Sequence, residues 1–138
     1  MALKKGVKQL VAEAETRIRT IPAEEAVTLQ DRPDVVFVDI RDVRELGRDG
    51  MIPGARHAPR GMLEFWVDPE SPYYKQDLAD ESKTYVLYCA SNWRSALAAD
   101  ALRDMGLTNF AHLGGGFTGW KKAGGAVGEG PAPKKKEG

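Results

Sequence analysis

Residues 85–95 read Tyr-Val-Leu-Tyr-Cys-Ala-Ser-Asn-Trp-Arg-Ser. An apolar, β-rich run ends at Cys89, the only cysteine of the chain, and four residues separate it from Arg94. An alanine-rich helical pattern then continues to Met105, where Gly106 stops it. The pattern predicts strand, tight loop and helix, with a thiol closing the strand and a guanidinium opening the helix. The first amide N–H groups of a helix have no partner within it and carry partial positive charge. A loop curled round a sulfur atom can aim further N–H groups at it. Cysteines in such settings ionise at roughly pH 3.5–7.5, against about 8.5 for a free thiol. Cys89 is therefore expected to be a nucleophilic thiolate at neutral pH, with Arg94 adding charge if it points inward. Asn92 is expected at the positive φ that a curled loop requires. The competing reading is an inert core thiol, the usual fate of a lone cysteine at the end of an apolar strand.

Upstream, Val35-Val36-Phe37-Val38 has the continuous apolarity of a parallel strand buried on both faces. It delivers Asp39 and Arg41 to its carboxyl end, the edge of an open α/β sheet where ligands bind. Asp39 is expected to bracket backbone N–H groups there, and Arg41 to help hold an anionic substrate. Residues 50–55 (Gly-Met-Ile-Pro-Gly-Ala) form a turn into a short strand ending near His57. Downstream, residues 109–113 read as the last strand, and residues 114–117 (Gly-Gly-Gly-Phe) turn into a helix carrying Trp120.

Taken in order, four of these segments resemble the rhodanese-type sulfurtransferases. Cys-Ala-Ser-Asn-Trp-Arg-Ser is similar to the family's Cys-x-x-Gly-x-Arg-Ser loop. Val38-Asp39-Ile40-Arg41 is similar to its Val-Asp-Val-Arg, residues 50–55 to its Gly-His-Ile-Pro-Gly-Ala, and Gly-Gly-Gly-Phe with Trp120 to its closing Gly-Gly-aromatic-x-x-Trp. The chain departs from the family pattern at Met51, where histidine is usual, and at Asn92, where glycine is usual. The alternation of strands and helices predicts parallel βα units with helices on both faces. The resemblance adds a rhodanese-like α/β fold over residues 20–124 with a mostly parallel five-stranded sheet. It also implies a reaction. Cys89 takes the outer sulfur of a donor such as thiosulfate, becomes a persulfide, and yields that sulfur to cyanide or a thiol. Ala90, Ser91, Asn92, Trp93, Arg94 and Ser95 would bind the substrate through the loop, with Arg41 and Arg60 as further anion ligands and Asp39 as structural support. Neither metal nor organic cofactor is implied.

Residues 1–19 form a separate unit. Leu3, Val7, Leu10, Val11, Ala14 and Ile18 recur at helical spacing among lysines and glutamates, predicting an amphipathic helix. Its apolar stripe is expected to pack on the sheet layer; a homodimer through that stripe is the alternative. Ala98, Ala101, Leu102 and Met105 are expected to face the sheet. Residues 59–66 are rich in large side chains and run into an insertion-like loop, a candidate wall for the pocket beside Cys89. Leu63 and Phe65 read as satellite core, and Trp66 fits either role. His57 and His112 are too few and too isolated for a metal site and read as structural. Residues 125–138 are rich in Gly, Pro and Lys and are expected to form a flexible tail, with a solvated basic cluster at 134–136.

Twenty basic and twenty acidic residues cancel, so no overall field recruits nucleic acid or an acidic membrane. No apolar run is long enough to span a bilayer. A lone cysteine without a targeting pattern leads us to expect the reducing cytoplasm. The expected partners are a small anionic sulfur donor and a thiol or cyanide acceptor, or proteins that supply or take the sulfur. Two other functions compete. One is a rhodanese-like module that carries sulfur or regulates a partner without turnover. The other is a cysteine phosphatase or arsenate reductase, whose Cys-x5-Arg loop is one residue longer than the spacing here.

Overall fold

The computed structural model describes residues 1–131. In chain order these form α1 (Val7–Glu15), β1 (Thr20–Ile21), α2 (Ala23–Thr28), β2 (Val35–Asp39), α3 (Val43–Asp49), β3 (Arg56–His57), α4 (Leu63–Val67), β4 (Thr84–Tyr88), α5 (Trp93–Asp104), β5 (Phe110–Leu113) and α6 (Gly116–Lys122). Short 3-10 turns at Arg60–Met62 and Gln76–Leu78 flank α4. The strands form one sheet in the order β1-β5-β4-β2-β3. Every pairing is parallel, where the sequence predicted a mostly parallel sheet. Each strand reaches the next through at least one helix, which is the connection parallel neighbours need. All five carboxyl ends therefore share one edge.

The two-residue period of a strand divides the core into two layers. Val38, Tyr85, Leu87 and Cys89 pack with Leu63 and Val67 of α4 and Ala98, Ala99 and Leu102 of α5. Phe37, Val86, Tyr88, Ala111 and Leu113 pack on the opposite face with Ala23 and Ala26 of α2 and Phe117 and Trp120 of α6. Helices thus cover both faces, as expected. Met105 lies beyond the end of α5 and is exposed, contrary to expectation, because Gly106 at φ +97° turns the chain away there.

The N-terminal helix packs on α5 more than on the sheet, correcting the expectation. Arg17 clamps Asp100 of α5 with two hydrogen bonds of 2.8 and 2.6 Å. Only Val11 and Ala14 of its apolar stripe are buried; Leu3, Val7 and Leu10 are exposed. At the other end, residues 125–138 are expected to form a flexible tail, yet Ala126 and Gly128 are hydrogen-bonded to the domain. The Trp120 indole N–H donates to the Ala126 carbonyl at 2.8 Å, and Met51 and Gly128 exchange backbone hydrogen bonds in an antiparallel bridge. Backbone pairing needs no apolar side chains, so composition gave no sign of it. The basic cluster at 134–136 lies outside the described residues.

Candidate functional site

β4 ends at Tyr88, so Cys89 stands at the carboxyl edge, on the α5 side by the alternation of the strand. It is buried, and its Sγ–H donates to Ser95 Oγ at 3.5 Å. Two carbonyls at the start of the loop are held by α6. The Phe117 N–H donates to the Cys89 carbonyl at 2.8 Å and the Thr118 N–H to the Ala90 carbonyl at 3.1 Å, both from the first turn of α6. Gly116, at φ +58°, lets the backbones approach: a Cβ there would collide with the carbonyl oxygens of Ser91 and Cys89. The opposite half of each peptide is left over. Among the described residues, no hydrogen-bond acceptor takes the backbone N–H of Ala90, Ser91, Asn92, Trp93, Arg94 or Ser95. Trp93, Arg94 and Ser95 supply the unpaired first-turn donors of α5, and the loop extends the series. Such a run of amides favours a negatively charged atom.

Asn92 does not adopt the positive φ expected of it. Its φ is −155°, and no residue other than glycine has positive φ among the described residues. Positive φ falls instead at Gly115 and Gly116 in the turn between β5 and α6, at +80° and +58°. The Asn92 side chain acts as a strut. Its amide donates to Glu15 of α1 at 2.5 Å, and its carbonyl accepts the Gly115 N–H at 3.4 Å. The N-terminal helix is thereby tied to the loop.

The three arginines are placed differently from one another. Arg94 lies at the loop, half-exposed, with Nη1 and Nη2 donating to Glu45 Oε1 and Oε2. This pair holds the Glu45 carboxyl below its usual range. Arg41, expected to help hold an anion, is instead buried with its guanidinium engaged by Asp39 and the Gly50 carbonyl. Its Nε and Nη2 donate to Asp39 at 2.9 and 2.7 Å, Nη2 donates to the Gly50 carbonyl at 2.7 Å, and the guanidinium lies 4.6 Å from the Phe117 ring centroid. Asp39 also accepts the Arg41 backbone N–H at 3.1 Å, the bracketing role expected of it. Arg60 pairs with Glu64, one helical turn on, at 2.5 Å.

Of the neighbouring segment, Leu63 is core beside Cys89, but Phe65 is exposed, edge-on to Tyr73. Trp66 is half-buried between Arg56 and Lys75. His57 is held by its ring N–H donating to the Arg41 carbonyl at 2.7 Å. His112 was assigned only to structure, and the fold brings it to the thiol. It is fully buried, its Nδ1 lies 3.0 Å from Ser95 Oγ, and its Nε2 lies 3.0 Å from Thr20 Oγ1. The sequence signal was its place two residues after Phe110, on the α5 side of β5. The role of Glu45 also escaped the sequence reading, although Asp42 and Glu45 form the capping box of α3. Among the described residues, no cluster of His, Cys, Asp and Glu could hold a metal ion. Among them too, no helix is long and apolar enough to cross a membrane.

The chain is similar to proteins already known. An uncharacterized protein of Synechocystis is 33% identical over 105 residues, which cover 76% of this chain and 53% of that protein. The uncharacterized protein YqhL of Bacillus subtilis is 34% identical over 84 residues, 61% of this chain and 59% of its own. The chain thus spans little more than half the length of these curated relatives. Among solved structures, a protein of unknown function from Rhodopseudomonas palustris, described as a possible tyrosine phosphatase, superposes with a TM-score of 0.88 at 47% identity, covering 93% of this chain and 98% of that one. Thiosulfate sulfurtransferase from Pseudomonas aeruginosa superposes with a TM-score of 0.74 at 29% identity, covering 91% of this chain and 23% of that one. A family model for the rhodanese-like domain matches residues 22–123. A match running from the N-cap of α2 to just past α6 embraces four of the five strands, helices on both faces and the cysteine loop, and by it the chain belongs to the rhodanese-like family.

Proposed function

We propose that the protein is a sulfurtransferase that carries a sulfane sulfur on Cys89. The Cys89 thiolate attacks the outer sulfur of a donor such as thiosulfate. The new S–S bond forms as the donor's own S–S bond breaks, and sulfite leaves with the bonding pair. A thiol or cyanide then attacks the terminal sulfur of the persulfide and restores the thiolate. The amides of residues 90–95 stabilise the negative charge on the terminal sulfur and on the departing sulfite. Arg94, its Nη atoms held by Glu45, stands at the rim and does not itself grip the anion. The exchange needs no cofactor, and a lone reactive thiol suits a reducing compartment.

The observation that carries this proposal is the run of N–H groups from Ala90 to Ser95 with no acceptor among the described residues, in the loop that follows the buried Cys89. The similarity to the P. aeruginosa sulfurtransferase supports it. The test is intact-mass measurement after incubation with thiosulfate. One sulfur atom should add, cyanide should remove it, and Cys89→Ser should stay unmodified. An unchanged wild-type mass, under conditions that load a control sulfurtransferase, would overturn the proposal. Loading without steady-state thiosulfate:cyanide turnover would assign a carrier role instead.

The description of the R. palustris protein brings forward the phosphatase reading. Two observations weigh against it here. Cys89 and Arg94 are separated by four residues, which makes a tighter cradle than a Cys-x5-Arg loop. In addition, both Nη atoms of Arg94 are already taken by Glu45, so gripping a phosphate requires breaking that pair. Hydrolysis of an aryl phosphate that Cys89→Ser abolishes would reverse this preference.

A further inference from the structure

Four side chains from three elements and the cysteine loop form one hydrogen-bonded chain on the α5 side of the sheet. Cys89 Sγ lies 3.5 Å from Ser95 Oγ, Ser95 Oγ 3.0 Å from His112 Nδ1, and His112 Nε2 3.0 Å from Thr20 Oγ1. Cys89, Ser95 and His112 are buried, while Thr20 is exposed on the edge strand. Ser95 O–H has a second acceptor in the Asn92 carbonyl at 3.3 Å. The chain therefore runs from the reacting sulfur to the surface without a gap.

We propose that His112 is the positioning residue for Cys89, acting through Ser95, and that the chain moves the thiol proton to and from solvent. With the thiol protonated, S–H donates to Ser95, Ser95 O–H donates to Nδ1, and Nε2–H donates to Thr20. When the thiol ionises, each proton moves one place outward. Ser95 O–H then donates to the thiolate, Nδ1–H donates to Ser95, Nε2 accepts from Thr20, and one proton leaves from the Thr20 end to water. The imidazole is neutral before and after, with its two tautomers exchanged.

A neutral ring is the form this site favours, because burial pushes the His112 imidazole below the usual histidine range. Glu15 from α1 acts on it in the opposite sense, more weakly. Arg94 of α5, paired with Glu45 of α3, is the charged side chain on the cysteine loop. This deepens the persulfide chemistry and rests on it for the step served. Loading a resting thiol from thiosulfate releases one proton along with sulfite, and unloading to cyanide takes that proton back.

The experiment is nitrogen NMR of the 15N-histidine protein, titrated alongside the rate of Cys89 alkylation by iodoacetamide. Neither readout requires turnover, so a failure here is distinct from a failure to load sulfur. His112 is expected to change from the Nε2–H to the Nδ1–H tautomer at the midpoint of the alkylation profile. In Ser95→Ala that midpoint should rise by about one pH unit, a roughly tenfold loss of reactivity at pH values well below the midpoint, and the tautomer should no longer change. Ser95→Thr, which keeps a hydroxyl, should restore both. A single tautomer throughout the titration, or a Ser95→Ala alkylation profile superimposing on wild type, overturns the proposal.

Discussion

Arg94 and Glu45 join the first turns of α5 and α3 in a two-pronged ion pair, with N–O distances of 2.7 and 3.0 Å. The one cation of the cysteine loop is thus neutralised by a carboxylate from another element. Glu45→Gln removes that charge while keeping the side-chain shape the capping box uses. With Arg94 released, the KM for thiosulfate should fall about fivefold, the equivalent of roughly 1 kcal/mol for a partly exposed charge. Steady-state thiosulfate:cyanide kinetics would show it. An unchanged KM would mean that Arg94 serves only loop structure.

Arg41 offers the opposite case. Its replacement by Ala leaves the Asp39 carboxylate buried without its partner, at a cost of about 3–5 kcal/mol. Urea unfolding should show the loss directly. Arg41→Lys, which keeps the charge but not the fork, should lose less stability and keep the wild-type KM for the donor. A Lys variant of wild-type stability with a raised KM would return Arg41 to the substrate site.

Gly116→Ala tests the packing of α6 on the loop. The substitution places a side chain at positive φ and against the carbonyl oxygens of Ser91 and Cys89. Strain and overpacking together should cost about 3 kcal/mol. Thermal unfolding should report a clear fall in Tm, and sulfur loading should slow beyond what the remaining folded fraction explains. Gly61→Ala, in the open with no atom near the added Cβ, is the control.

His112 predicts how stability depends on acidity. Its ring is held below the ordinary value of 6.5 by burial, whereas in the unfolded chain it binds a proton at that value. Below pH 6.5 the unfolded state therefore takes up the proton first, so stability is lost as pH falls and is fully present above it. The slope from this one group reaches at most about 1.4 kcal/mol per pH unit. Urea titrations at pH 7.5, 6.5 and 5.5 should show wild-type stability declining, with a shallower decline in His112→Asn. Parallel declines in the two proteins would remove His112 as the cause.

The sheet and the position of Cys89 were legible because both rest on local pattern. Continuous apolarity marked β2, the apolar run ending at Cys89 marked β4, and Gly106 marked the end of α5. The arginines were not legible in the same way. The sequence places Arg41, Arg60 and Arg94 near the same sheet edge, but Asp39, Glu64 and Glu45 decide which one is buried, which is paired within its own segment and which faces the loop. Those choices depend on rotamers and tertiary contacts. His112 illustrates the same limit. Its link to Ser95 and Cys89 joins positions distant in sequence, and it exists only once β5 has paired with β4.

Because α6 occupies the carbonyls of Cys89 and Ala90, the polarity above the sulfur comes from main chain, which has no protonation state near neutrality. Acid or base can change the thiol and its side-chain neighbours but leaves that electric floor in place. Under the proposed sulfur transfer, the outward side chains at 91, 93 and 94 can then be exchanged to suit different donors, with the main-chain amides beneath them left as they are.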